Sequence, residues 1–406
     1  MANGISRRRA LTGGLGLAAG TTLGGGLAGC SRIFGGSQDG GAVNTSGELV
    51  VGVNLELTGV GSTLGKLQEQ ALIIAASELN INGIPFGDRR LAVRAIVRDN
   101  GGNPENAAQI SQDFIDNDKV SAILGGTTVE TAMAMIAVSE KRKVPLLCLN
   151  SGEEITFPLP ARKFTYKLGP NAADVGAMIA RELVRQQIST VAVLASADGH
   201  GSAGANAVPR SLAAAGLQHV GTVRLPQSGR AFTDAAKQVV ASKAKAAVVW
   251  ALAPISAAAV AALRDAGFLG KIFVDAGAGA DETLSGPNAA AMEGTYIIHP
   301  AVLGGAPTLA TTPSGRAARD FIYRYIQQYG AFSGFAPYAA DALNLVAFAA
   351  RRGVNLEPQR LRGRLEAGAV EGITGAYAFQ PISHGGLEPD ALVLFTAKGG
   401  NWVRLL

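Results

Sequence analysis

Cysteine and histidine are scarce in this chain. Two cysteines, Cys30 and Cys148, and four histidines occur among its 406 residues. The cysteines form no CxxC pair and the histidines no HExxH motif, so the sequence lacks the ligand spacings of common zinc sites. We therefore expect the protein to carry no metal ion and no other cofactor.

Charged residues are also few, at 17% of the chain, and their balance is close to neutral. The formal net charge of +5 comes from 36 basic and 31 acidic residues. Three of the basic residues, Arg7, Arg8 and Arg9, lie at the N-terminus, and removing them from the 36 leaves 33 against the 31 acidic residues. The remaining excess of two excludes the basic surface that a nucleic-acid-binding protein needs.

The N-terminus has the pattern of an export signal. Ser6-Arg7-Arg8-Arg9 precedes a run from Ala10 to Ser31 that contains no charged residue. Eight glycines dilute this run, so it is too weakly apolar for a permanent membrane span. We predict that residues 1–29 are cleaved. The segment Ser6–Leu11 resembles a twin-arginine export motif, and the general secretory route stays open.

The uncharged run ends in Leu27-Ala28-Gly29-Cys30, which resembles the lipobox of bacterial lipoproteins. That resemblance implies lipidation of the Cys30 thiol and anchoring at the extracytoplasmic face of the cell membrane. Residues 30–47 are rich in Gly and Ser, which predicts a flexible tether. Cys148 is then the single cysteine of the mature body and lies in an apolar run, where we predict a buried structural thiol.

From Glu48 onward, short apolar runs alternate with longer helical stretches, the pattern of βαβ units. Asn103 precedes Pro104 and has the chemistry of an N-cap before the first helical residue. The alternation of strands and helices starts again near Phe164, and a later helix is expected over Gly204–Ala215. The pattern predicts an α/β protein with two doubly wound, mostly parallel sheets, since the chain is too long for one.

Several short motifs, in a fixed order, resemble the type I periplasmic-binding-protein fold. More narrowly, they resemble the leucine/isoleucine/valine-binding family of ABC transporter solute-binding proteins, over nearly all of residues 48–406. The motifs are Gly52-Val53-Asn54-Leu55-Glu56-Leu57-Thr58-Gly59, Arg98-Asp99-Asn100-Gly101-Gly102-Asn103-Pro104, Val144-Pro145-Leu146-Leu147, Gly169-Pro170-Asn171 and Ala340-Asp341-Ala342.

This resemblance implies two lobes joined by a three-segment hinge. Lobe 1 is expected to comprise residues 48–168 with 298–374, and lobe 2 residues 169–297 with 375–406. Closure about the hinge would bury a small solute, because the ligand touches both lobes only in the closed form.

Two loops of lobe 1 are candidates for the binding site, because ligands of open α/β sheets collect beyond the carboxyl ends of strands. Both loops lead into helices and offer hydroxyl and backbone N–H groups, which favour an anionic group such as a carboxylate. The resemblance implies that they hold the carboxylate and amino groups of the solute. The predicted ligand-binding residues are Thr127, Thr128, Asn150, Ser151 and Gly152, with helix capping alone as the alternative.

Lobe 2 supplies two further candidates. His200 follows a strand where the resemblance implies an aromatic residue against the ligand, although a solvent-facing histidine is equally open. Asp275 ends another strand, near the position where relatives place an acidic residue for the ligand ammonium, and Ala276 is the alternative. Leu64 and Ala253 stand where branched-chain amino-acid binders commonly have aromatic residues, so the pocket is expected to prefer another amino acid, an amide or a small carboxylate.

An enzyme is the main alternative, and the sequence argues against it. Gly59–Gly65 has the spacing GxGxxxG, and Asp99 lies too far along the chain for the ribose contact of a dinucleotide site. Ser202 lacks the preceding glycine of a nucleophile elbow.

The expected partners are the small-molecule solute and an ABC permease in the membrane. We expect a monomer that is held by its lipid anchor. A ligand-sensing module that reports to a membrane receptor remains the alternative, since sequence separates transport from sensing poorly.

Overall fold

The computed structural model describes residues 32–34, 45–226, 231–280, 282–305 and 310–405. Two seven-stranded sheets organise this part of the chain. The first sheet and the elements between its strands run in the order β1 Arg32–Phe34, β2 Glu48–Leu55, α1 Ser62–Asn82, β3 Ile84–Phe86, β4 Arg89–Asp99, α2 Pro104–Asp116, β5 Ala122–Gly125, α3 Val129–Arg142, β6 Leu146–Cys148 and β7 Thr165–Lys167. Its spatial order is β1-β4-β2-β5-β6-β7, with β3 beside β4.

The second sheet begins after β7. Its elements are α4 Ala172–Arg185, β8 Thr190–Ser196, α5 Gly199–Ala214, β9 Gln218–Leu225, α6 Ala231–Ala241, β10 Ala246–Trp250, α7 Ile255–Asp265, β11 Lys271–Val274, α8 Glu282–Ser285 and β12 Tyr296–Pro300, completed by β15 Leu392–Lys398 and β16 Asn401–Arg404. The order is β16-β15-β12-β11-β10-β8-β9, in which β15 and β16 are antiparallel to their neighbours. The mostly parallel sheets confirm the predicted fold class.

The chain returns to the first sheet between β12 and β15. The returning elements are α9 Pro313–Tyr329, α10 Pro337–Arg351, α11 Pro358–Leu365, and the short strands β13 Val370–Glu371 and β14 Ala376–Tyr377. α9 and α10 pack against α1. Three connections therefore join the sheets, after β7, β12 and β14, and we call each sheet with its helices a lobe.

Helices cover both faces of each sheet. On the first sheet, α1 and α10 bury Leu72 and Leu343 on one face, whereas α2 and α3 bury Phe114 and Met135 on the other. The second sheet is covered in the same way by α6 and α7 on one face and by α4 and α5 on the other. Burial on both faces explains the uninterrupted apolar runs of the central strands.

Local chemistry sets several element ends. The side chain of Asn103 accepts a hydrogen bond from the backbone N–H of Asn106 at 3.0 Å, and Pro104 is the first residue of α2, as the sequence predicts. By contrast, α5 begins five residues before the expected Gly204, because Asp198 caps it by accepting from the Gly201 N–H at 2.7 Å. At Gly204 a Cβ would lie 2.1 Å from the Trp250 indole, so this glycine allows close helix–sheet packing.

The sheets depart from the expected boundaries in three places. Arg32–Phe34, within the expected tether, pairs antiparallel with Ala95–Val97 of β4, the strand that also pairs with β3 through Arg89–Leu91. β12 keeps the chain in the second sheet through Pro300. Tyr377 and Phe379 lie in the core of the first lobe, because the Asp341 carboxylate on α10 accepts from the backbone N–H groups that precede them.

Candidate functional site

Polar side chains gather where β2, β5 and β6 end, since these three strands are adjacent and parallel. All five residues predicted for lobe 1 lie there and are buried. Their side chains and backbone groups contact one another and one acidic residue that sequence reasoning missed, Glu56.

Glu56 follows β2 directly and is fully buried. One carboxylate oxygen, Oε2, accepts a hydrogen bond from the Thr127 N–H at 3.1 Å. The other, Oε1, accepts from the Thr128 N–H at 3.3 Å, from the Thr128 hydroxyl at 3.4 Å and from the Thr131 hydroxyl. The N–H groups of Thr127 and of Thr128, the N-cap residue of α3, were expected to be free for a ligand and instead donate to Glu56.

The other polar groups of this loop cluster are also engaged. The Thr127 hydroxyl donates to Gln68 Oε1 at 2.8 Å, and Gln68 Nε2 donates to the Leu149 carbonyl at 3.1 Å. Asn150 Nδ2 donates to the Gly126 carbonyl at 2.7 Å, and Asn150 Oδ1 accepts from the Gly152 N–H at 2.9 Å. These bonds fix the loops to each other and to α1.

Ser151 differs from its neighbours. Its side chain is 8% exposed, and its hydroxyl has no hydrogen-bond partner among the residues that the structure describes. A free hydroxyl at a strand end, beside an otherwise satisfied network, is available to a bound molecule.

In lobe 2 the structure brings His200 and Asp275 into contact. His200 lies in the first turn of α5, not in a solvent-facing loop, and its Nε2 is 2.8 Å from Asp275 Oδ2. Asp275 also accepts from the N–H groups of Ala251 at 3.0 Å and Gly277 at 2.8 Å. Burial opposes a charge on His200, but the Asp275 carboxylate, together with the smaller effects of Asp198 and Glu130, raises the pKa of the imidazole.

Two further buried groups lie close to this pair. The Tyr338 hydroxyl on α10 and the His299 Nε2 on β12 have no hydrogen-bond partner in the described part of the chain. Burial lowers the pKa of His299 to about 4, while its Nδ1 lies 3.1 Å from the Pro300 carbonyl oxygen. Burial raises the pKa of Tyr338, with the Asp341 and Asp275 carboxylates as smaller causes.

The two clusters face each other across a direct contact between the lobes. The Gly199 N–H of α5 donates to Glu130 Oε1 of α3 at 3.0 Å. A Cβ on Gly199 would lie 2.6 Å from the Val129 side chain, so only glycine allows this approach. Gly199 precedes His200, and Glu130 follows Thr128 by two residues, so the contact brings the predicted residues of both lobes to one interface.

The architecture is that of a two-lobed binding protein, with polar loops of both lobes at one junction. A family model described as periplasmic binding protein matches residues 48–400. The chain therefore belongs to the periplasmic binding protein family, a family of binding proteins and not of enzymes.

Solved structures with the same fold include three informative neighbours. An extracellular ligand-binding receptor from Rhodopseudomonas palustris HaA2 is 22% identical, with 88% of this chain and 100% of that chain covered and a TM-score of 0.79. The leucine binding protein LivK from Thermotoga maritima is 20% identical, with 88% and 98% covered and a TM-score of 0.75. An R. palustris ABC transporter solute-binding protein in complex with benzoate is 16% identical, with 88% and 95% covered and a TM-score of 0.74.

Two plant proteins match a short segment. Glutamate receptors 1.1 and 1.2 of Arabidopsis thaliana are 34% and 32% identical over 100 and 101 residues. The matches cover 25% of this chain but only 12% and 11% of the receptors.

Two other features of the described residues bear on the chain as a whole. Cys148 is a free, buried thiol, and burial raises its pKa, which agrees with the predicted structural role. None of the described helices combines the length and the apolar character needed to span a bilayer.

Proposed function

We propose that the protein is the solute-binding component of an ABC importer. It binds a small amino-acid-like, amide or carboxylate solute between its lobes and delivers it to a membrane permease. The observation that carries the proposal is the α3–α5 contact, which joins the helix that follows Thr128 to the helix whose first turn contains His200. Support comes from neighbours of the same fold whose names refer to leucine and to benzoate.

Within this proposal the residues of the two lobes have different roles. The Ser151 hydroxyl hydrogen-bonds the solute directly, because its donor and acceptor capacity is unused within the described part of the chain. Thr127, Thr128, Asn150 and Gly152 hold the loops that surround it. His200 and Asp275 form the charged wall of lobe 2.

We also propose that the mature chain begins at a lipidated Cys30. Cys30 and the preceding leader lie outside the described residues, so the proposal depends on the lipobox-like sequence. A lipid anchor would keep the binding protein at the membrane that carries its permease, which raises the frequency of their encounters.

Ligand sensing for a membrane receptor is the second candidate function. The segment shared with the two plant glutamate receptors favours it, although the match covers a small part of those proteins. A physical interaction with a permease, tested with the purified proteins in detergent, separates the two functions.

The test of the proposed function is a ligand screen on residues 45–406 by thermal shift, followed by small-angle scattering with the compound that binds. We expect binding to raise the melting temperature and to favour the closed form, with the compound recovered unchanged. Ser151→Ala should weaken binding about three- to tenfold, the equivalent of one hydrogen bond, with little effect on the unliganded protein.

Ser139→Ala is the matched control for Ser151→Ala. The Ser139 hydroxyl on α3 is likewise buried and unpartnered within the described residues, but it lies near the other end of the helix. Equal affinities for the two variants would contradict the assigned role of Ser151. A chemically altered compound would contradict the binding function.

A further inference from the structure

The start of α3 is a position where an anion is stabilised, and the chain places its own carboxylate there. The first N–H groups of a helix have no partner within the helix and carry a partial positive charge. In this protein Glu56 accepts from the N–H of Thr128, the N-cap residue of α3, from the N–H of the preceding Thr127 and from two threonine hydroxyls.

Two effects would weaken the binding of a second carboxylate at this position. Glu56 already accepts from the N–H groups of Thr127 and Thr128, and its negative charge would repel a second anion inside a buried site. Among the described residues Oε1 of Glu56 accepts three hydrogen bonds, whereas Oε2 accepts one. The remaining acceptor capacity of the carboxylate therefore lies on Oε2 and suits an N–H donor.

We infer that Glu56 is a specificity-determining residue, which makes lobe 1 select solutes that present an amide or ammonium group, and not a carboxylate, to the start of α3. The inference rests on the proposed function and narrows its solute class. According to this inference, the carboxylate of Glu56 occupies the position at the start of α3 that the carboxylate of a ligand would otherwise occupy.

Matched acid and amide pairs test this directly, with leucine against leucinamide and benzoate against benzamide. We expect the protein to bind the amide of at least one pair about tenfold or more tightly than the acid, because like charges at close range disfavour the acid. In Glu56→Gln, which keeps the shape but removes the charge, the preference should shrink about tenfold. Tighter binding of the acid by the unaltered protein would overturn the inference.

Glu140→Ala is the control for loss of a carboxylate that binds backbone N–H groups. Glu140 accepts from the N–H groups of Lys163 and Phe164 and from the Thr165 hydroxyl, near the other end of α3. This variant should lose stability and keep the preference for the amide. An equal loss of preference in both variants would assign the effect to stability and overturn the role of Glu56.

A second measurement needs no solute. In Glu56→Ala the start of α3 is left with free donors in a buried site, so acetate should raise its melting temperature in a saturable way. Sodium chloride at the same ionic strength should not, and acetate should have no such effect on the unaltered protein. An identical response to acetate and chloride would contradict the inference. If no acid or amide bound, the proposed solute class would fail, while the acetate response would still decide the role of Glu56.

Discussion

His200 and Asp275 form a buried charged contact in the candidate site. Both side chains are almost fully buried, and Asp275 accepts two backbone N–H groups in addition to the imidazole. The Asp275 carboxylate favours the protonated form of the neighbouring imidazole. The pair therefore couples the ends of β8 and β11, the two strands that these residues follow.

We predict that Asp275→Asn lowers the pKa of His200 relative to the unaltered protein, because burial is then opposed only by the weaker effects of Asp198 and Glu130. In the unaltered protein the pKa of His200 is raised by folding. The pair therefore stabilises the protein fully at a pH below the pKa of histidine in the unfolded chain, about 6.5. This stabilisation is lost as the pH rises through the pKa of His200 in the folded protein. The stability difference between the two proteins should be about 3 kcal/mol near pH 6 and smaller at high pH.

NMR titration of the imidazole resonances and urea unfolding at several pH values measure these two effects. Asp174→Asn is a control in the same lobe, since Asp174 is hydrogen-bonded to Asn171 and not to a histidine. A stability difference that grew above pH 7 would show that the sign of the coupling is wrong.

The sequence predicted the positions of some residues of the site but not the contacts of others. The rule that ligands collect beyond parallel strands predicted the positions of Thr127, Asn150 and Asp275, because it depends only on where strands end. It did not predict that Glu56 would bind the start of α3, which requires the direction of a side chain. A carboxylate directly after one strand, beside a strand that leads into a helix, is the pattern that would have indicated this contact.

At the scale of elements, the contact between α3 and α5 connects the lobes. Glu130 in the first turn of α3 meets the N-terminus of α5, where the helix dipole favours a negative charge. α5 reaches this position because it begins at Gly199. Sequence reasoning placed its start near Gly204 and missed the capping by Asp198, which offsets the cost of the glycines in the first turn.

We predict that Glu130→Gln weakens solute binding about three- to tenfold, because closure loses a charged hydrogen bond between the lobes. The loss should appear mainly as faster solute release in stopped-flow measurements. Glu105→Gln is the matched control, since Glu105 occupies the first turn of α2 and is exposed. Equal release rates for both variants would mean that the α3–α5 contact does not stabilise the closed form.

At the scale of the whole molecule, the proposed anchor and the first sheet are close in sequence. One residue separates Cys30 from β1, which pairs with the outer edge of β4. A lipid on Cys30 would therefore hold lobe 1 near the membrane surface by its sheet edge, with lobe 2 joined through the three connections. On closure, lobe 2 would then move relative to lobe 1, which the anchor holds in place.

We predict that Cys30→Ser releases the protein from the membrane fraction without changing solute affinity, because the residues of both binding clusters lie from Glu56 onward in the chain. Acyl chains gain about 0.8 kcal/mol for each buried methylene, and two or more chains make anchoring durable. The unaltered protein should require detergent for extraction and should incorporate labelled palmitate, whereas the variant should do neither. Cys148→Ser is the control, since this thiol is buried in the first lobe and is not available for lipidation. Palmitate incorporation into Cys30→Ser, or its retention in washed membranes, would contradict an anchor at this residue.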